Sequence, residues 1–428
     1  MLRLATSKRY SSFGGAEMKY DVVVIGGGPA GLAAAIRASK NASVLLIERE
    51  ARLGGILKQC IHDGFGVVRF GEKLSGPEYA DRFIKELRDT NVTVSTFSFV
   101  TNIVKRDCYK LTYVCADGVK TAECDKIILA MGCRERTRNG IFIQGDRCAG
   151  IYTAGAAQNL VNILGVMPGR KVVILGSGDI GLIMARRLTL EGATVEGVYE
   201  AKPTPSGLTR NIHQCLHDFN IPLHLSTTVT RVIGKNRLEQ VEVSQVDEKM
   251  RPISGTERIV DCDTLVLAVG LIPENELAKD LSVKIDPKTK GAIVDQNCQT
   301  LTDNVYACGN ALHVNDLVDY VSESGETAGE DASKPCGKRK LVPVKVKGKF
   351  LYMVPQMLDV NADVNKVITY FRASEELSKQ KLTVTVGGKE IFSKRFAKLL
   401  PPEMERVVID YSAADLASEQ ILIELKEG

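Results

Sequence analysis

Two copies of one glycine pattern, GxGxxG, constrain the fold of this chain more than any other feature. The first copy spans Gly26 to Gly31 and the second spans Gly176 to Gly181, and each lies between an apolar run and a helical stretch. In such a strand-turn-helix context the first glycine permits a tight turn, the second lets a phosphate approach the backbone, and the third lets helix pack on strand. Each copy therefore predicts a dinucleotide site at a helix N-terminus.

The residues around each turn predict a complete βαβ unit. The expected elements are a strand over 20–25, a helix over 29–39 and a strand over 43–48, then a strand over 171–175, a helix over 179–191 and a strand over 194–200. The second strands end on Glu48 and Glu200, whose carboxylates can accept hydrogen bonds from ribose hydroxyls. A carboxylate also repels the 2′-phosphate of NADP, so Glu200 favours NAD(H), although Lys202 weakens that preference.

Alternating apolar and polar residues follow each unit. The segment Val92 to Cys124, around the turn Asp117-Gly118, predicts an antiparallel crossover that leads into the buried strand KIILA. The segment Val229 to Asp261 precedes a similar apolar strand, TLVLAVG. The internal repeat thus extends beyond the glycine turns, and the fold class is α/β with two Rossmann-like dinucleotide-binding domains.

The C-terminal part differs in character and begins with a basic cluster. Its members are Lys334, Lys338, Arg339, Lys340, Lys345, Lys347 and Lys349. The alternating segments LVPVKVKGKF, LTVTVGG and ILIEL predict a small β-rich domain over 334–428. The cluster is either a docking site for an acidic partner or anionic ligand, or a solvated linker and edge strand, since lysines commonly protect strand edges.

Composition excludes several classes of protein. The chain has 428 residues and a formal net charge of +4, which gives no support to nucleic-acid binding. No stretch approaches the roughly 20 apolar residues of a membrane helix. The eleven cysteines show no pair separated by two residues, so we expect reduced, mostly buried thiols and no metal site.

The N-terminal segment has the composition of an organellar targeting peptide. Residues 1–18 contain Arg3, Lys8 and Arg9 among Ser, Thr, Leu and Ala, with no acid before Glu17. The alternative is a disordered cytosolic tail. We expect targeting to a mitochondrion or a related organelle such as a hydrogenosome, because the apolar run is too short for a secretory signal.

Further motifs carry a family resemblance. The segments LAMG, LAVGLIPENEL and VYACGNALHVNDLVDYVSESG, taken with both glycine turns, resemble the pyridine nucleotide-disulfide oxidoreductase superfamily over about residues 20–332. The segments LGGILKQCIHDGFG, YTAGAAQNLVN and GSGDIGLIMARRLTLEG are most similar to the flavoprotein of anaerobic glycerol operons, found beside a glycerol 3-phosphate dehydrogenase subunit.

This resemblance implies that the first turn holds FAD and the second holds NAD. It also implies an NAD domain (151–271) inserted into an FAD domain (19–150 and 272–333). The FAD-binding residues implied are Gly26, Gly28, Pro29, Ala30, Gly31, Glu48, Arg49, Gly55, Gly132, Gly309 and Asn310. Those implied for NAD are Gly176, Ser177, Gly178, Asp179, Ile180, Gly181, Glu200 and Gly270. A helix starting near Asp316 would direct its N-terminus at the isoalloxazine and favour the negative charge of reduced flavin.

The chain departs from the family pattern in two places. Asn310 replaces the usual Asp, which removes one charge but leaves a group that can bond the ribityl chain. More consequentially, Leu57 and His62 occupy the positions of the two cysteines found in disulfide reductases, with Cys60 between them. This departure argues against dithiol relay chemistry.

Three residues are candidates for catalysis near the flavin. Cys60 and His62 could form a thiol acceptor and proton donor, and His313 precedes the flavin-facing helix. The alternative for each is a packing or hydrogen-bonding role. His213 and His217 have metal-ligand spacing with Cys215 between them and His224 beyond, but they lack an HExxH pattern, so we expect surface or packing roles.

The function expected is transfer of hydride from NADH to FAD and of electrons to a second acceptor. Candidate acceptors are a partner dehydrogenase such as glycerol 3-phosphate dehydrogenase, an iron-sulfur protein, oxygen or peroxide, and a small disulfide. One alternative is a Cys60-dependent disulfide or peroxide reductase. Another is an electron-transfer subunit of a heteromeric dehydrogenase. A homodimer is one assembly considered.

Overall fold

A computed structural model describes residues 18–362, 366–411 and 420–428. The described chain starts at Met18, so the predicted targeting peptide lies outside it except for that residue. The first part contains β1 (Met18–Ile25), α1 (Pro29–Ala38), β2 (Val44–Ile47), α2 (Gly76–Arg88), β3 (Thr93–Ser95), β4 (Phe99–Lys105), β5 (Tyr109–Cys115) and β6 (Gly118–Leu129). No helix in the described ranges is both long and apolar enough to cross a membrane.

These strands form one sheet in the order β3-β2-β1-β6-β5-β4. In its parallel core Ile25 lies opposite Ile47 on one side and Leu129 on the other. The predicted antiparallel crossover is confirmed, because β5 pairs antiparallel with β4 and with β6. KIILA is not a separate strand, since the N-terminal half of β6 completes the crossover and its C-terminal half pairs with β1.

The second part repeats this plan around the second glycine turn. It contains β7 (Cys133–Glu135), β8 (Gln144–Gly145), β9 (Ile151–Thr153), α3 (Ala154–Asn162), β10 (Lys171–Leu175), α4 (Asp179–Leu190), β11 (Thr194–Tyr199), α5 (Thr209–Cys215), β12 (Leu223–His224), β13 (Thr227–Gly234), β14 (Leu238–Gln245), β15 (Arg258–Asp261), β16 (Thr264–Leu267) and β17 (Leu271–Pro273). The parallel sheet has the order β12-β11-β10-β16-β9, and β13, β14 and β15 form the predicted antiparallel segment.

The chain then returns to the first sheet through α6 (Glu276–Asp280), β18 (Val305–Ala307) and α7 (Val318–Ala332). β18 pairs with β6, and α7 starts two residues after Asp316, where the helix was expected. Added Cβ atoms on Gly325 and Gly329 would collide with the backbones of Ala30 and Ala34 of α1, so the two helices run parallel in close contact. Seven residues of α7 precede Gly325 but only one residue of α1 precedes Ala30, so the N-terminus of α7 projects about 9 Å past that of α1.

The C-terminal part is β-rich, as predicted. It contains β19 (Leu341–Lys347), β20 (Phe350–Val354), β21 (Met357–Asp359), β22 (Lys366–Ala373), β23 (Leu377–Val386), β24 (Lys389–Leu399), β25 (Glu405–Asp410) and β26 (Ile421–Glu427). Two sheets, ordered β21-β19-β26-β23-β24 and β20-β22-β25, enclose a core of buried apolar side chains that includes Phe371, Leu382 and Ile409.

Two residues of the basic cluster, Arg339 and Lys347, form ion pairs within this fold. Arg339 contacts Asp295 at 3.2 Å and Asp303 at 2.8 Å, and Lys347 contacts Glu424 at 2.7 Å. β19 is not an edge strand along its whole length, because Leu341–Pro343 pair with β21 and Val344–Lys347 pair with β26. A docking role for the cluster stays a prediction.

Candidate dinucleotide sites

The first glycine turn has no room for side chains at two of its three glycines. Gly26 has a φ of +106°, and a Cβ there would lie 2.4 Å from the Ala130 carbonyl oxygen. A Cβ on Gly31 would lie 1.8 Å from the carbonyl oxygen of Gly26, so the helix could not pack on the strand. Gly28 differs, because its φ of −78° suits any residue and the nearest atom to an added Cβ is 3.8 Å away, on Gly55. The open space at the start of α1 is therefore available to a phosphate.

The second turn repeats this geometry. Gly176 has a φ of +103°, and a Cβ added there would lie 2.2 Å from the Ala268 carbonyl oxygen. A Cβ added on Gly181 would lie 2.3 Å from the Gly176 carbonyl oxygen. At Gly178, which caps α4 with a φ of −65°, an added Cβ would meet no atom of the described residues within 4 Å. The fold does not require glycine at this position, whereas a bound pyrophosphate would.

Each turn is braced by the acid that was predicted from the sequence. Both Glu48 and Glu200 are buried. Glu48 accepts hydrogen bonds from the backbone N–H groups of Gly27 at 2.6 Å and Glu50 at 2.7 Å. Glu200 accepts matching bonds from the N–H groups of Ser177 at 3.1 Å and Lys202 at 3.0 Å. The matching contacts extend the internal duplication to hydrogen bonds, and Oε1 of each carboxylate accepts only one of these bonds, which leaves it a lone pair for a ribose hydroxyl.

Other predicted NAD residues hold the loop beside the second turn. The hydroxyl of Ser177 donates to Glu200 at 2.6 Å and accepts from the Ser206 N–H at 2.9 Å. Asp179 accepts from the Leu208 N–H at 2.9 Å and from the Asn211 side chain at 2.7 Å. These side chains shape the loop between β11 and α5, which lies beside the start of α4.

Several residues predicted to bind FAD meet at the start of α1. A Cβ on Gly55 would lie 2.9 Å from Gly28, and a Cβ on Gly309 would lie 2.7 Å from the Ala30 side chain. The carbonyl oxygen of the Asn310 side chain accepts from the Asn315 N–H at 3.0 Å, which fixes the loop before α7. Arg49 is exposed, and Gly132 and Gly270 both have positive φ. The sequence-distant segments around 28, 55 and 309 thus form one cradle.

A family comparison agrees with this arrangement. The model of the pyridine nucleotide-disulphide oxidoreductase family matches residues 20–330. The chain belongs to this family. Members of the family bind FAD and a pyridine nucleotide, so both predicted cofactors and the class of NAD(P)H-dependent flavoprotein oxidoreductase are confirmed at that level. The open cradles at Gly28 and Gly178 fit these two groups.

Individual relatives are distant. Hydrogen cyanide synthase subunit HcnB of Pseudomonas aeruginosa is 28% identical over 61% of this chain and 59% of its own length. The CoA-dependent NAD(P)H sulfur oxidoreductase of Pyrococcus abyssi is 26% identical over 71% of this chain and 65% of its own length. The chain thus spans less than two thirds of either protein. The thioredoxin reductase structure of T. acidophilum has a TM-score of 0.62 at 21% identity, over 74% of this chain and 98% of that one, and confirms the fold.

Cys60 has the surroundings of a packed residue. It follows a 3-10 turn over Gly55–Gln59 and is buried, with its sulfur 3.4 Å from the Ile56 carbonyl oxygen and 3.7 Å from the Gln158 side chain. Burial raises the pKa of the Cys60 thiol to about 12, so the thiolate is strongly disfavoured at neutral pH. Of the two roles predicted for Cys60, a redox thiol and a packed residue, the geometry favours the packed residue.

We therefore expect Cys60→Ser to oxidise NADH at the wild-type rate with artificial acceptors, because a buried thiol contributes no nucleophile. Steady-state kinetics with NADH and a dye acceptor would measure this rate. Cys148→Ser, at a half-buried cysteine elsewhere in the chain, is the control. A large loss of turnover in the Cys60 variant alone would restore the redox-thiol hypothesis.

The two candidate histidines have different surroundings. His62 is half-buried, lies 3.2 Å from the Asp63 carbonyl oxygen through Nδ1, and contacts the Phe65 ring. His313 is buried between Tyr352 and Tyr370 of the C-terminal part, and its Nδ1 has no hydrogen-bond partner among the described residues. Burial, with a smaller contribution from Arg372, lowers the pKa of His313 to about 3. His313 is therefore neutral at physiological pH and unsuited to act there as a proton donor.

His313 should make the fold sensitive to acid. Because its pKa is lower in the folded than in the unfolded chain, only the unfolded chain takes up the proton as pH falls below about 6.5. The free energy of unfolding should then fall with pH, by up to about 1.4 kcal/mol per pH unit from this group. His313→Gln should show a shallower decline between pH 7 and pH 4 in denaturant titrations, and an unchanged slope would contradict a buried neutral imidazole.

Of the remaining histidines, His213 and His217 are exposed and His224 packs locally. The Nδ1 atoms of His213 and His217 lie 3.0 Å apart, and His224 stacks on Tyr199 with ring centroids 4.6 Å apart. Cys215 is buried and does not join them. Within the described ranges no three potential metal ligands come together.

Sequence reasoning missed the contacts that the C-terminal part makes with the segment before α7. Arg372 of β22 reaches Asp316, and Tyr370 approaches His313. No local sequence pattern indicates these contacts, because they join residues more than 50 positions apart.

Proposed function

We propose that this chain oxidises NADH with FAD as the first electron acceptor and passes the electrons to a second acceptor. The proposal is carried by the paired open cradles at Gly28 and Gly178, since one chain offers two phosphate-sized spaces at two helix N-termini. FAD, when bound, supplies the hydride-accepting ring. The chain's own contribution is to hold both nucleotides in register and to exclude water from the space between them.

Within this proposal the FAD unit comprises residues 19–150 and 272–333, and the NAD(H) unit comprises 151–271. The start of α1, with Gly55 and Gly309 beside it, would hold the FAD pyrophosphate, and Glu48 would bond the adenosine ribose. The start of α4 and Glu200 would play the same parts for NAD(H). The N-terminus of α7 lies further along the edge of the first sheet, where its dipole would meet the isoalloxazine.

Glu200 predicts a preference for NADH over NADPH. The carboxylate is buried and accepts four hydrogen bonds, from the N–H and hydroxyl of Ser177, the N–H of Lys202 and the hydroxyl of Ser206. A 2′-phosphate beside it would meet an ionised group that cannot move away. We expect kcat/KM to be at least about tenfold higher for NADH, and a preference for NADPH would refute the role given to Glu200.

We further propose that the second acceptor is a partner dehydrogenase subunit, as for the flavoprotein of glycerol operons. Among the relatives, HcnB is by name a subunit of hydrogen cyanide synthase, which favours work within a complex. The isolated chain should then reduce dyes with NADH but require the partner for its physiological acceptor. Copurification of the tagged chain, followed by activity with and without the partner fraction, tests this proposal.

We propose a mitochondrion or a related organelle as the location, from the composition of residues 1–18. Import into isolated organelles followed by N-terminal sequencing is the test. A mature protein that keeps Met1 and stays in the cytosol would contradict it.

A further inference from the structure

The C-terminal part holds the beginning of α7 through two ion pairs. Asp316, two residues before the helix, contacts the guanidinium of Arg372 and accepts a hydrogen bond from the Met404 N–H at 2.6 Å. Further along the helix, Glu323 accepts hydrogen bonds from Arg406 at 2.8 and 2.6 Å. One pair therefore lies at the helix N-terminus and the other lies more than one turn inside it.

Arg372 is fixed in place on several sides. Its side chain is 12% exposed, its Nε donates to the Tyr352 hydroxyl at 3.0 Å, and its guanidinium also contacts the Pro402 carbonyl oxygen. Burying a guanidinium costs free energy unless it is paired, so such a pair is weak evidence for a purely stabilising role. A rigidly held cation can, however, set the position and the charge of the acid that it contacts.

We propose that Arg372 is a positioning residue for the flavin. By holding and neutralising Asp316, it fixes the N-terminus of α7 and keeps an uncompensated negative charge away from the isoalloxazine. The inference rests on the proposed function, which places the flavin at that helix terminus. The C-terminal part thereby adjusts the reduction potential of the flavin, because reduction adds negative charge and a nearby free carboxylate opposes it.

The test compares Arg372→Gln with Arg406→Gln, which removes a pair from the same unit to the same helix but away from its N-terminus. The FAD-loaded proteins are titrated to obtain the midpoint potential and the visible spectrum. We expect a more negative potential and a shifted flavin band in the Arg372 variant, with neither change in the Arg406 variant. Equal potentials in the wild type and both variants, or equal shifts in the two variants, would contradict the proposal and leave Arg372 with a docking role alone.

Asp316→Asn provides a second variant should Arg372→Gln fail to fold. The amide still accepts the Met404 hydrogen bond, but the guanidinium of Arg372 is then uncompensated, so the potential should rise instead of falling. An unchanged or lower potential would overturn the proposal. Failure of the wild-type chain to bind FAD would show at the loading step and would refute the proposed function itself.

Discussion

Gly178→Val should largely abolish NADH oxidation while leaving FAD bound. Within the described part of the chain nothing lies within 4 Å of a Cβ added at this position, and its φ of −65° suits valine, so the fold itself should tolerate the change. The new side chain would instead occupy the space where a pyrophosphate approaches the backbone. Overpacking costs about 1–3 kcal/mol, so we expect kcat/KM for NADH to fall about 5- to 150-fold.

The measurement is steady-state and rapid-reaction kinetics of the purified variant, with its FAD content determined from absorbance. Gly337→Val is the matched control, because a Cβ there also meets none of the residues that the structure describes within 4 Å but lies in the linker before β19. Unchanged NADH kinetics in the Gly178 variant would show that no nucleotide binds at the second turn.

Gly28→Val should yield a folded protein without FAD. Among residues 18–362, 366–411 and 420–428, an added Cβ has one neighbour within 4 Å, the Gly55 Cα at 3.8 Å, which is ordinary contact, and the φ of −78° requires no glycine. The side chain would project into the space at the start of α1, where the FAD pyrophosphate would lie. We expect the flavin absorbance per polypeptide to fall at least about tenfold while the circular dichroism spectrum is retained.

Gly31→Val separates this effect from misfolding. A Cβ at Gly31 would lie 1.8 Å from the Gly26 carbonyl oxygen, so that variant should lose the helix-strand packing as well as the cofactor. Full FAD content in the Gly28 variant would contradict the assignment of the first turn.

The sequence was a good guide where structure depends on neighbouring residues. The glycine turns, the strands and helices beside them and the acids Glu48 and Glu200 belong to patterns shorter than 35 residues, and all lie where they were expected. The reason is physical: a positive φ at Gly26 or Gly176 and close packing at Gly31 or Gly181 each require glycine locally.

Features that depend on distant partners were not predictable. The burial of Cys60 is set in part by Gln158 of α3, and the low pKa of His313 is set by burial beneath β20 and β22. The pairing of β19 between β21 and β26 likewise follows from the packing of the whole C-terminal part. The sequence suggested that basic residues such as Arg339 form a solvated cluster, because the acidic partners of Arg339, Asp295 and Asp303, lie far away along the chain.

Anaerobic stopped-flow mixing of the FAD-loaded protein with NADH is the most direct test of the proposed function. We expect rapid bleaching of the flavin band, with slow recovery when oxygen is admitted and faster recovery when the partner is present. Absence of a flavin band after reconstitution with FAD, or a band that neither NADH nor NADPH bleaches, would contradict the proposal that this chain transfers electrons from a pyridine nucleotide to FAD.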